Sequence, residues 1–133
     1  MIDTYKEYLE TQKSLTFEEM NRIYEDLIKD LEQDEDTKEF FEDFKQKAIQ
    51  YANTRSNWCL LTREQKLETD SSRTSTHNSL IIRLNILARH LKSLGKECLW
   101  RDELGYEEDD KYNRKKIGDF ACFIAFISAV NAR

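Results

Sequence analysis

Turn chemistry is almost absent from this chain: proline does not occur, and glycine occurs three times, at Gly95, Gly105 and Gly118. All-β folds need a turn signal about every 8–12 residues, and doubly wound folds need one at each crossover. Three glycines cannot supply them. What remains is a small number of long helices, so the expected fold is all-α, a compact single-domain bundle of five to six helices over residues 1–133. With 39% apolar residues, seven Phe, six Tyr and two Trp, the chain has enough to bury.

Helix punctuation divides the chain further. Asp3 can cap a short first helix to about Lys13. Thr16 with Glu19 three residues on forms a capping box for a second helix to about Glu32, striped by Phe17, Met20, Ile23, Tyr24, Leu27 and Leu31. Asp36 with Glu39 repeats the box before a third helix that carries Phe40, Phe41, Phe44, Ala48 and Tyr51 and can extend to Leu61. Thr62 with Gln65 opens a fourth. Seven of the eleven residues from Thr69 to Ser79 are Ser or Thr, which compete for backbone hydrogen bonds, so a break near Asp70 or Ser71 is a possibility. From about Ser72 the helix continues to Leu94, where Gly95 is the stop. Cys98, Leu99 and Trp100 fall in a short connector closed by Gly105. Asp109 and Asp110 start a last helix that is apolar on nearly every side from Ile117 to Val130 and is expected at the centre of the bundle. Its small residues Gly118, Cys122, Ala125 and Ala129 form a strip for close helix approach, with the Leu84–Leu94 seam as the expected partner.

That seam carries the most chemistry in the chain. Asp70, Arg73, His77, Leu80, Leu84, Leu87, Leu91 and Leu94 alternate spacings of three and four residues, so they share one helical stripe. Whatever covers the leucines then tends to cover a carboxylate, a guanidinium and an imidazole, and buried charge needs partners. Asp119, beside Gly118, can reach across from the last helix, and Arg101 beside Trp100 can close the group. Asp70, Arg73, His77, Trp100, Arg101 and Asp119 are therefore the candidate polar cluster. It is either a buried network that fixes helix register, with Arg73 and Asp119 paired, or a pocket with arginine anion clamps and His77 as donor or base.

Charge is distributed unevenly. Residues 1–50 carry 15 acids and 7 bases, net −8, whereas residues 51–133 carry 11 acids and 14 bases, net +3. The acidic front half repels nucleic acid, and direct nucleic-acid binding is not expected. It can steer a cationic protein instead, with Glu18, Glu25 and Glu32 as the candidate contacts. The opposing view is a self-compensated face, since Glu18 and Arg22, Glu25 and Lys29, Asp34 and Lys38, and Asp43 and Lys47 are all spaced at i, i+4. The basic run Lys111, Arg114, Lys115 and Lys116 is offset by the four acids Glu107 to Asp110.

Cys59, Cys98 and Cys122 are odd in number, far apart and set among apolar residues, which suits reduced buried thiols in a cytoplasm. No signal peptide is visible, and the apolar run Phe120 to Ile127 is far shorter than the ~20 residues that span a bilayer. Metal-ligand spacings, a phosphate-binding glycine loop and a nucleophile elbow are all missing, so no metal or cofactor is expected. Arg83, six residues and His90 match the Arg-x4-6-His spacing of the helical nucleases of the HEPN class. Its mid-helix setting beside Leu84 favours a plainer role for His90, as a cation near a helix C-terminus.

Asp70-Ser-Ser-Arg73-Thr-Ser-Thr-His77-Asn78, Leu84-Asn-Ile-Leu-Ala-Arg89, Trp100-Arg101-Asp-Glu-Leu104-Gly105 and Arg114-Lys-Lys-Ile-Gly118-Asp119-Phe-Ala-Cys122 together resemble small proteins of phages and integrative elements of Gram-positive bacteria. The resemblance covers about residues 55–133 and implies a cytoplasmic accessory protein. The reading carried forward is a non-catalytic interaction or regulatory protein that binds a protein partner. The alternative is a small-molecule-binding module or enzyme centred on Asp70, Arg73, His77 and Asp119, with the Arg83/His90 ribonuclease behind it.

Overall fold

The computed structural model describes residues 15–56, 61–105 and 111–131, with the side chains of 56, 69–74 and 111–115 excepted. Five helices occur among these residues: α1 (Phe17–Asp30), α2 (Glu35–Ser56), α3 (Arg63–Ser93), α4 (Leu99–Glu103) and α5 (Lys111–Asn131). No strand occurs among them. The fold is all-α. The short helix expected at Asp3–Lys13, the helix start at Asp109 and Asp110, and Cys59 lie outside the described residues.

Two of the expected caps are present. Thr16 Oγ1 accepts the Glu19 N–H at 3.0 Å and the Glu19 carboxylate accepts the Thr16 N–H at 3.1 Å. Thr62 and Gln65 make the same reciprocal pair at 3.2 and 2.9 Å. The α2 cap differs from expectation, because Asp34 rather than Asp36 takes the role: its carboxylate accepts the Thr37 N–H at 2.8 Å and the Thr37 hydroxyl. A contact from α3 favours this register, as described below.

Helix α3 runs unbroken through the Ser/Thr-rich stretch. Its cap fixes the start, and the buried His77, Leu80 and Ile81 secure the following turns, so packing overrides weak propensity. The C-terminus is a Schellman motif. Gly95, at φ +89°, donates to Lys92 O at 3.0 Å, and Lys96 N–H donates to Leu91 O at 3.1 Å. The turn begins at Leu94, so this last leucine of the seam is 47% exposed while Leu80, Leu84, Leu87 and Leu91 are fully buried.

Helices α2 and α3 form a long antiparallel hairpin, with Phe40 against His90 at one end and Tyr51 against His77 at the other. Helix α5 packs chiefly on α2 and makes far less contact with α3. The expected pairing of its small-residue strip with the leucine seam is corrected accordingly. Gly118 faces Tyr51 of α2 instead. Phe44, Ala48 and Ala52 of α2 are fully buried and, at four-residue spacing, share one face of the helix. Residues 117–125 of α5 are buried without interruption, as expected of a central helix. Helix α1 lies across α5, with Phe17 and Tyr24 edge-on to Phe123 at 5.2 and 5.9 Å.

A Cβ on Gly118 would stand 2.5 Å from the Tyr51 hydroxyl oxygen and 3.1 Å from its Cζ. Gly118→Ala should therefore destabilise the fold by about 1–3 kcal/mol, the range for overpacking. Adding Tyr51→Phe removes the nearest atom, so the double variant should lose less than the sum of the singles in chemical denaturation. Strict additivity would contradict this contact.

Candidate functional site

Four buried polar side chains stand out among the described residues: Thr37, His77, Arg101 and Asp119. They are carried by α2, α3, α4 and α5 in turn.

Thr37 sits where the N-terminus of α2 meets the last turns of α3. His90 Nε2 lies 2.9 Å from Thr37 Oγ1 and 3.2 Å from Asp34 Oδ1, while its ring packs edge-on to Phe40 at 5.2 Å. One imidazole nitrogen thus serves both partners. A Thr-His-Asp relay needs the carboxylate on one ring nitrogen and the hydroxyl on the other, so this geometry is a tether between helix ends. The side chain of His90 is 17% exposed and is held in the α2 cap. The Thr37 hydroxyl and N–H hold Asp34 down at about 2 from its ordinary 3.8, with His90 adding to the effect.

Because that carboxylate is depressed in the folded protein, its contribution to stability is complete above about pH 3.8 and is lost as the pH falls through about 2. Asp34→Asn keeps a capping oxygen and removes the titration. The stability difference between parent and variant should therefore shrink steadily from pH 4 to pH 2 in thermal or urea unfolding. A difference independent of pH would refute the assignment.

His77 and Asp119 occupy the opposite end of the α2/α3 hairpin. The His77 ring lies 5.3 Å from that of Tyr51, and the Tyr51 hydroxyl is lodged against Gly118, next to Asp119. His77 is 9% exposed and Asp119 is 2% exposed, and both take part in polar interactions. Asp119 and Arg55 also lie within electrostatic reach of the fully buried Cys122, whose thiol is pushed up first by burial and then by the Asp119 charge. Asp70 and Arg73 lie on α3 within two turns of His77, and their side chains are outside the described set.

The described bonds of Trp100 and Arg101 reach α1, α3 and Gly105. Arg101 Nε donates to Asn85 Oδ1 and its Nη1 to Gly105 O, each at 2.8 Å. Asn85 is eight residues beyond His77, about 12 Å further along α3. Trp100 Nε1 donates to Asp30 Oδ2 at 3.0 Å, and the same oxygen accepts the Cys98 N–H at 3.2 Å. Cys98 is the one non-glycine residue with positive φ among the described residues, at 53°. Its thiol is buried and raised to about 11 by desolvation, with Asp30 contributing, so it is not a thiolate nucleophile at neutral pH. Sequence reasoning missed Asp30, Asp34 and Asn85, whose roles depend on which helix ends meet. The Asp34-x-x-Thr37 spacing was the one local signal available.

The acidic candidates also separate. Glu18 and Glu25 are exposed, whereas Glu32 is half-buried and pairs with Lys96 at 2.6 Å. Arg22 reaches Glu103 on α4 at 3.1 Å. A groove of about 300 Å³ between α1, α2 and α5 is floored by Tyr24, Phe41, Ile124 and Ile127, and its cation, Lys45, pairs with Glu42 at 2.8 Å.

Among the described residues no group of three or more His, Cys, Asp or Glu side chains is placed to hold a metal ion. None of the described helices is long and apolar enough to cross a membrane. Comparison with protein-family models, curated proteins and solved structures finds no match for this chain.

Proposed function

We propose that this chain is a non-catalytic binding module, an accessory protein of the kind found in mobile elements, which recognises a cationic protein partner through its first two helices. The carrying observation is how many of their acids stay exposed. Glu19, Asp30, Glu32, Asp34 and Glu42 are engaged in caps, tethers and ion pairs. Glu18, Glu25, Glu35, Asp36 and Glu39 are exposed, Glu25 with one contact from Asn21 at 3.4 Å, and Glu19, Asp34 and Glu42 are exposed as well. The net −8 of residues 1–50 is thus carried in part by side chains that face solvent, where a field can raise the encounter rate with a basic surface.

The test is kinetic. A partner captured on the immobilised chain should associate at least about tenfold more slowly with the Glu18→Lys/Glu25→Lys variant at low salt, and the difference should narrow as salt rises. Glu32 is left unchanged because its reversal would also break the Lys96 pair. A partner whose binding ignores both the substitutions and the salt would overturn the reading.

A further inference from the structure

Among the described residues, one side of helix α3 is largely exposed, with α4 reaching its edge at Asn85. Its buried positions, among them Leu80, Leu84, Leu87 and Leu91, face α2 and the core. On the opposite side, within about 40° of Ile82 at 100° per residue, the described side chains from 68 to 89 are those of Glu68, Ser75, Asn78, Ile86 and Arg89. All are exposed except the half-buried Ile86. Two of the most exposed large apolar side chains fall on this same side, Ile82 at 56% and Leu67 at 73%. A soluble helix ordinarily places such residues inward, and lone exposed ones need no explanation. Here they accompany small residues and opposite charges in a self-complementary order.

We propose that this stripe is the contact for a second copy of the chain, with the two α3 helices antiparallel about a two-fold axis between Asn78 and Ser79. The register follows from the spacing. Ile82 lies three to four residues beyond the axis and meets Ser75 of the other copy, the same distance before it. Arg89 and Glu68 lie equally far out, so each arginine faces a glutamate and the pair occurs twice by symmetry. The serine and asparagine at the crossing let the backbones approach, and each isoleucine fills the space above a serine. A parallel pairing would set Arg89 against Arg89 and Glu68 against Glu68. Charge therefore selects the antiparallel form. A single helix pair buries less than the ~800 Å² per partner of a standard interface, so the dimer should be weak, dissociating in the micromolar range.

Sedimentation velocity of the full chain from about 1 to 500 μM should show a reversible monomer–dimer equilibrium. Ile82→Glu should abolish it, with circular dichroism checking that the helices persist. Glu68→Arg alone and Arg89→Glu alone should each weaken self-association at least about tenfold, since each places like charges at both contacts. Mixed together, these two variants should form a heterodimer more strongly than either forms a homodimer. A chain monomeric throughout the range, or a dimer unaffected by Ile82→Glu, would overturn the proposal. A dimer sensitive to Ile82→Glu, with no preference for the mixed pair, would overturn the antiparallel register.

Discussion

Arg101→Ala should lower the unfolding free energy by about 2–4 kcal/mol. The guanidinium is 1% exposed and bridges two elements, donating to Asn85 Oδ1 on α3 and to Gly105 O just beyond α4. Truncation leaves that amide oxygen and that carbonyl without their donor and opens a void beside Trp100. A hydrogen bond from a charged donor contributes about 1.5–3 kcal/mol, and removing a desolvated charge offsets part of the loss. Arg101→Lys should recover little, because an ammonium cannot present two donors in the fixed plane that the site uses. Urea unfolding measures both, and a loss under about 1 kcal/mol for the alanine variant would contradict the structural role.

Asp30→Ala should have a similar effect. One carboxylate oxygen accepts both the Cys98 N–H and the indole N–H of Trp100, and Trp100 is fully buried. The alanine variant strands that indole donor and loosens the Cys98 backbone from its φ of 53°, a conformation uncommon outside glycine. A loss of about 2–4 kcal/mol follows from two charge-assisted bonds, one of them to a group with no other route to water. Asp30→Asn keeps an acceptor oxygen and should fall between. A second readout is independent of stability: Cys98, now buried with its thiol at about 11, should react faster with a thiol reagent in the alanine variant. Unchanged labelling together with unchanged stability would show that the Asp30 bridge does not hold α4 in place.

Both residues illustrate what could be read in advance. The sequence offers Arg101, beside Trp100, as a cation that can close a polar group. The partner assigned from sequence was the Asp70, Arg73, His77 and Asp119 group. In the structure the described bonds of Arg101 go to Asn85 and Gly105 O, two turns of α3 away from His77. Asp30 showed no signal at all. A carboxylate at a helix C-terminus is locally unfavourable, and it becomes useful here because α4 brings two N–H donors to it. His90 was read as a cation near its own helix end, whereas its described bonds go to the N-terminal cap of another helix.

The sequence by itself determined the elements whose causes lie within a turn or two of chain. The scarcity of turn residues specified helices, and the Thr16/Glu19 and Thr62/Gln65 boxes fixed two starts, because side chain and backbone partners are three residues apart. Gly95 fixed an end, because a left-handed residue is easiest without a Cβ. The seam spacing marked Leu80, Leu84, Leu87 and Leu91 as core. Tertiary structure decided which faces meet. It packed α2 on both α3 and α5, lodged Tyr51 on Gly118 where a leucine was expected, and brought His90 to an α2 cap at Asp34. It also kept α3 continuous where local competition favoured a break. Periodicity defines a buried stripe but carries no information about its partner, since any apolar stripe removes another from water equally well. The choice falls to shape and to single polar bonds between residues 50 or more apart in the chain, such as Asp30 with Trp100 and Asp34 with His90.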